Sequence, residues 1–268
     1  MDSPDRKTRG RTAQGRLQAL DSYLLHAERD LLARDEGDWA RAAFVDLGFG
    51  EHPWTTLESA ESFRTVNPTL PVLGVERDPE RVAAAQSHGD ALTDFRLGGF
   101  ELPLRPGERV RLLRAMNLLR GYRPEEVEGI HHTLGQSLLE GGLLVEGSTD
   151  TEGAVLVAHL LRRVPEGLAR EALLFHTDFR RGFAPVLFRD WLPRDLRRRV
   201  KPGEPIHAFF AHWTEAWQVA RAREPLAPPE AFRRSVLELT PRVEGLSTEP
   251  WLLAHGFLCW RPPGGVFR

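Results

Sequence analysis

Asp46, Gly48, Gly50 and Glu76 are the residues of this chain with the types and spacing to hold a charged small molecule. The first three lie in the stretch Phe44-Val45-Asp46-Leu47-Gly48-Phe49-Gly50, directly after an apolar run, and Glu76 closes a second run, Val72-Leu73-Gly74-Val75. Glycines in a tight turn tolerate positive φ and let a ligand approach the backbone. An acid at the end of the second strand of a doubly wound sheet is placed to accept both hydroxyls of a ribose. A third loop, Gly98-Gly99-Phe100-Glu101-Leu102-Pro103-Leu104, follows a third strand-like segment. The three loops together point to a nucleoside-containing cofactor. The dinucleotide fingerprint GxGxxG is not met, because Pro53 stands at the third glycine and Glu51 would repel a diphosphate. A cofactor with a cationic centre and an amino-acid end suits Asp46 and Glu76 better, and S-adenosylmethionine fits that description.

The elements that must position these residues alternate in type. Strands are expected at residues 42–45, 72–76, 93–97, 109–115 and 143–146, with helices from about Trp54, from Pro79 behind an Asp78 N-cap, and over 125–139 up to Gly141-Gly142. Alternation of this kind predicts a parallel sheet with helices on both faces. The N-terminal part carries Leu17, Leu20, Leu24, Leu25, Leu31 and Leu32 at helical steps, an amphipathic helix that flaps across the sheet or serves as a lid or dimer surface. The later half is less regular: a helix is expected over 154–163, a strand over 171–177, a basic insertion over 180–200, a helix over 206–222 with Phe209, Phe210, Trp213 and Trp217, and a last strand over 255–260. The domain limits read from this pattern are a disordered tail at 1–11, a helical extension at 12–40, a cofactor-binding half at 41–150 and a second half at 151–268.

With 268 residues, 41% hydrophobic and 28% charged, the chain can bury a full core, and a net charge of -2 gives no push toward nucleic acid or membrane. One cysteine, Cys259, excludes an internal disulfide, and none of the ten histidines has metal-motif spacing, so no metal is expected. No apolar run approaches a membrane span and the first residues do not resemble a signal peptide, which makes a cytoplasmic protein the default.

At these residues the chain resembles the class I S-adenosylmethionine-dependent methyltransferases. FVDLGFG looks like the family's first motif, VLGVERDPERVAAA like its second strand with the ribose acid at Glu76, LGGFELPL like the adenine loop, and LLEGGLLVEGS like the fifth strand and its approach. The closest look is to uncharacterised bacterial members that pair a DLGxG turn and a PxTT segment with a stretch like Arg114-Ala115-Met116-Asn117-Leu118-Leu119-Arg120-Gly121-Tyr122. Gly99 stands where the family usually has an acid, and the fourth strand ends in RAMN rather than NPPY. The resemblance implies an α/β, Rossmann-like class I methyltransferase fold: a mostly parallel seven-stranded sheet with helices on both faces, plus an N-terminal helix and a C-terminal insertion.

It also implies roles. Asp46, Gly48, Gly50, Glu76, Arg77, Gly99, Phe100 and Asn117 are expected to bind S-adenosyl-L-methionine. Methyl transfer from a sulfonium is an in-line displacement that needs mainly alignment. Arg114 and Asn117 are the catalytic candidates, the first pairing with a carboxylate or held in a salt bridge with a helix acid, the second orienting an acceptor or shaping its loop. His52, Trp54, Tyr122, Phe209 and Trp213 are the acceptor-side candidates, and Thr55 and Thr56 either cap the helix or line the pocket. A small-molecule acceptor is expected, with RNA as the alternative suggested by the basic insertion, and a monomer or homodimer. A non-catalytic protein with a decayed pocket and an NAD(P)-dependent oxidoreductase are the rival readings.

Overall fold

The computed structural model describes residues 13–222 and 224–265 of the chain, and the expected disordered tail at 1–11 lies outside them. The described residues form two compact units, one running to Glu146 and including Thr151–Gly153 and Leu161–Ala169, the other comprising Gly147–Asp150, Ala154–Leu160 and the residues from Arg170 on.

In the first unit the chain runs α1 (Gln18–Ala27), α2 (Arg29–Ala33), β1 (Ala42–Leu47), α3 (Trp54–Arg64), β2 (Val72–Glu76), α4 (Pro79–Ala85), β3 (Thr93–Leu97), β4 (Arg109–Met116) and α5 (Pro124–Gly135). Strand β1 pairs in parallel with β2 and with β4, and β2 pairs in parallel with β3. This is the Rossmann-like α/β arrangement, and it places the ends of β1, β2 and β3 along one edge. Successive residues of a strand face opposite ways. Accordingly the ring of Phe44 meets Phe63 of α3 at 5.0 Å, while Val45 shares an apolar cluster with Leu134 of α5, so helices cover both faces. Helix α4 starts as its sequence predicts: Asp78 accepts from the backbone N–H groups of Glu80 and Arg81, and Pro79 fills the first turn.

Strands β5 (Leu138–Thr149), β6 (Val155–Val164) and β7 (Gly167–Thr177) carry residues of both units, and β8 (Phe257–Trp260) belongs to the second. The sheet order is β3-β2-β1-β4-β5-β6-β7-β8, eight strands where seven are expected. The added strand is β6, in place of the helix predicted over 154–163. Its run Val155-Leu156-Val157-Ala158-His159-Leu160-Leu161 is buried throughout, and a continuous apolar run carries no period by which strand and helix can be told apart. The connections β5–β6 and β6–β7 are too short for a crossover, which makes both pairs hairpins, and β7 pairs antiparallel with β8. Strand β5 also runs through Gly141-Gly142, where a helix end is predicted; the helix stops at Gly135.

In the second unit, Val155, Val157, Leu173, Phe175, Leu258 and Trp260, alternate residues of their strands, form one apolar face. Helices α7 (Pro205–Ala222) and α8 (Pro228–Leu239) bury Phe209, Trp213 and Phe232 in the same cluster. Two short helices, α6 (Arg194–Arg197) and α9 (Pro250–Ala254), complete it, and Cys259 is buried in β8. Among the described residues no helix is long and apolar enough to cross a membrane.

Candidate functional site

The turn after β1 is built by glycines in left-handed conformation, Gly48 at φ 76° and Gly50 at φ 85°. Between them Phe49 is buried and meets the edge of Phe95 at 5.4 Å. Gly74 of β2 makes that packing possible, since a Cβ there would stand 2.5 Å from the Phe95 ring. The turn is thereby pinned to the sheet. Leu118, from the segment after β4, lies over Gly48, where a Cβ would fall 2.3 Å from its Cδ2. A Gly48→Ala substitution therefore combines left-handed strain with displacement of Leu118. A stability loss of about 1–2 kcal/mol is expected in a denaturant titration.

Glu76 closes on the same turn. Its Oε2 accepts from the Gly50 N–H at 3.0 Å, and its Oε1 accepts from the N–H groups of Arg77 at 2.9 Å and Asp78 at 3.3 Å. A backbone N–H that a pyrophosphate would use is thus already bound to a buried carboxylate.

Beneath the turn Asp46 anchors a buried polar network. Its Oδ1 accepts from Arg114 Nε at 3.0 Å, and its Oδ2 from the hydroxyls of Thr56 at 2.7 Å and Thr55 at 3.3 Å. Arg114 Nη1 donates to Asp21 Oδ1 of α1 at 2.8 Å and to Ser59 Oγ of α3 at 2.7 Å, and Nη2 donates to the Thr55 carbonyl at 3.1 Å. The Ser59 hydroxyl reaches the other Asp21 oxygen at 2.7 Å. One guanidinium thus faces two carboxylates, and the cluster carries one surplus negative charge when both are ionised. Burial pushes the Asp21 carboxyl up to about 6 against the pull of Arg114 and Ser59, with Asp46 and Glu58 adding repulsion. For Arg114 burial works the other way, but Asp46 and Asp21 outweigh it and hold the cation above its usual range.

This geometry corrects several expectations. Arg114 is fully buried and committed to Asp46, Asp21, Ser59 and Thr55, so it positions the turn rather than touching a ligand. The salt bridge with a helix acid is the arrangement found. Thr55 and Thr56 do not cap α3, whose N-terminus has no side-chain cap; they hold Asp46. Phe209 and Trp213, expected on the acceptor side, are core: their side chains are buried in the second unit's apolar cluster, and Trp213 Nε1 donates to Ser235 Oγ at 3.0 Å.

The other predicted residues lie around the loops. Asn117 follows β4 with φ 63°, a non-glycine in left-handed conformation next to Leu118. Phe100, from the loop after β3, meets Tyr122 edge to face at 5.4 Å, which brings an adenine-loop candidate and an acceptor-side candidate together. His52 stacks on Trp54 at 4.3 Å, with His52 and Arg77 exposed. A Cβ at Gly99 would meet nothing within 4 Å, so packing does not forbid the missing acid.

Asp21 and Ser59 are members of the network beyond the expected site residues. Asp21 sits with Leu17, Leu20 and Leu24 at helical spacing, and that position within the apolar stripe was the available signal. An open cavity of about 790 Å³ lies at the opposite, amino ends of β4 and β5, lined by Arg105, Glu108, Arg109, Thr133 and Gln136 among others, and includes none of the predicted site residues. Among the described residues no group of three or more His, Cys, Asp or Glu is arranged to hold a metal ion.

No family model and no curated protein matches the chain. Solved structures that match part of it include an S-adenosylmethionine-dependent methyltransferase from Mesorhizobium loti, at 22% identity over 47% of this chain and 53% of that one, with a TM-score of 0.34. Another is the magnesium protoporphyrin IX methyltransferase from Synechocystis with bound S-adenosylhomocysteine, at 15% identity over 49% and 53%, TM-score 0.36. A third is human N-acetylserotonin methyltransferase in complex with S-adenosylmethionine, at 20% identity over 49% and 36%, TM-score 0.32. The chain spans about half or less of the length of each.

Proposed function

We propose that the chain is an S-adenosylmethionine-dependent methyltransferase acting on a small-molecule acceptor. The observation that carries this is the buried negative turn: Gly48 and Gly50 turn the chain in left-handed conformation, while Glu76 occupies the Gly50 N–H and the Asp46 cluster holds a surplus carboxylate. Such a turn disfavours phosphate and favours a nucleoside that carries a cation. S-Adenosylmethionine supplies an electrophilic methyl on a sulfonium. On this reading Glu76 takes the ribose, Asp46 sets the field under the amino-acid end, Phe100 and Tyr122 flank the base side, and Asn117 orients the acceptor for in-line attack. Arg180, Arg181, Arg197 and Arg199 of the basic insertion are each paired with an acid, Asp178, Asp150, Asp190 and Glu204 respectively. That pairing leaves less charge for an RNA backbone and supports the small-molecule acceptor.

A single observation favours a fold that binds no cofactor. Glu76 is 1% exposed, and both of its oxygens already accept backbone N–H groups. Calorimetric titration with S-adenosylmethionine, S-adenosylhomocysteine and NAD⁺ separates the possibilities. Micromolar binding of both adenosyl compounds and none of NAD⁺ is expected, together with a loss of at least tenfold in Glu76→Ala, measured below the melting transition of a variant that still unfolds cooperatively. Binding of NAD⁺ alone would sink the proposal, and no binding of any of the three would leave the non-catalytic fold.

A further inference from the structure

We propose that Asp21, on the N-terminal helix α1, is a positioning residue of the cofactor turn: through Arg114 it fixes Asp46 and supplies the surplus negative charge that a cationic ligand group at the Gly48–Gly50 turn would discharge. The inference rests on the proposed cofactor reading and deepens it. The geometry is a relay of short contacts among residues at most a few per cent exposed, Asp21 Oδ1 to Arg114 Nη1 at 2.8 Å and Arg114 Nε to Asp46 Oδ1 at 3.0 Å, the second carboxylate lying two residues before Gly48.

Charge balance needs one carboxylate for one guanidinium, and Asp21 is a second beside Asp46. A second buried anion is costly unless something repays its desolvation. The groups that face Asp21 are Arg114 of β4, Asp46 of β1, and Glu58 and Ser59 of α3; Glu58 is itself engaged by the Gly15 N–H at 2.9 Å. The site therefore holds more negative than positive charge, and a bound cation would complete it. Ligand binding and ionisation of Asp21 are then linked, so a ligand cation draws the proton off Asp21.

The test compares wild type with Asp21→Asn at pH 7 and pH 5, using S-adenosylhomocysteine, which carries an ammonium, and adenosine, which carries none. For wild type the S-adenosylhomocysteine affinity is expected to fall up to about tenfold from pH 7 to pH 5, the span that linkage through a group titrating near 6 allows. In Asp21→Asn it is expected to be the same at both values and to match wild type at pH 5. Adenosine affinity is expected to be flat in both proteins. Asparagine keeps the hydrogen bond to Arg114, and a cooperative melt of the variant confirms its fold. Calorimetry of wild type at pH 6, in buffers of different ionisation heat, supplies a second readout: release of a proton on binding.

Parallel pH profiles in the two proteins, or no proton release, would overturn the role of Asp21 while leaving the cofactor reading intact. A loss in the variant that is equal at both pH values would show a merely structural part and would also overturn it. Failure of wild type to bind S-adenosylhomocysteine at either pH would bring down both.

Discussion

Arg114→Met is expected to destabilise the first unit by about 3–5 kcal/mol, the effect of removing one partner from a buried ion cluster. The substitution strands Asp21 and Asp46, both nearly inaccessible to water, and takes the Arg114 donors from Ser59 Oγ and from the Thr55 carbonyl, which keeps only the Ser59 hydroxyl among its side-chain donors. It also removes the guanidinium stacked 5.1 Å from the centroid of Phe44. A urea titration should show the midpoint falling sharply, and adding Asp21→Asn to Arg114→Met should return part of the loss by taking one stranded charge away. A midpoint within about 1 kcal/mol of wild type would mean that the network contributes little. The pH dependence has a defined sign. Asp21 is raised from 3.8 to about 6 in the folded state, so its stabilising contribution is fully present below 3.8 and is lost as pH rises through about 6. Wild type should therefore lose stability over that interval relative to Asp21→Asn.

A second large effect is expected at Arg111. Its guanidinium, buried in β4, meets no carboxylate in hydrogen-bond range among the described residues; it donates to the carbonyls of Ala42 at 2.7 Å, Leu31 at 3.1 Å, Leu32 at 2.8 Å, Arg34 at 2.7 Å and Trp39. These are the carbonyls of the end of α2, of the loop that follows and of the start of β1. Burial lowers the guanidinium to about 10, with Asp35 working against the shift, so it stays charged at neutral pH. Arg111→Met takes a donor from all five; Leu32 keeps the Asn67 amide and Trp39 the Ala42 N–H, so the cost falls on the others at about 1–3 kcal/mol for each one that water does not reach, and a total of about 3 kcal/mol or more is expected. Arg111→Lys should recover little, because an ammonium carries its donors on one atom and cannot span carbonyls that the planar fork reaches from two sides. Limited proteolysis should show first cleavage of the variants between residues 33 and 42, ahead of any cut in the strands. Equal protection of that segment in wild type and Arg111→Met would refute the clamp.

What was legible in the sequence is what the chain writes locally. The turn of Gly48 and Gly50, the acid at Glu76 and the Asp78–Pro79 helix start each depend on neighbours a few residues away, and residue type decides them. Strand β6 was not legible, because an apolar run buried on both sides suits a strand and a helix equally and only its partners choose between them. Arg114 shows a different limit. Its neighbours in sequence leave open whether it pairs with a ligand carboxylate or with a helix acid, because its environment is set by Asp21, Asp46 and Ser59, all more than fifty residues away. The aromatic stripe of α7 fails for the same reason. Helical spacing tells which residues share a face, and whether that face meets a core or a ligand is decided by the strands beneath Phe209 and Trp213.

The two buried arginines also fix an order of events during synthesis. Arg111 reaches back 80 residues to Leu31 and Arg114 reaches back 93 to Asp21. At roughly 5–20 residues per second, helix α1 leaves the ribosome roughly 5–20 s before the cation that holds it. In that interval the exposed leucines of α1 and α2 have no sheet to cover. The apolar stripe of the emerging segment therefore stays without its full cover until β4 arrives and locks it in place.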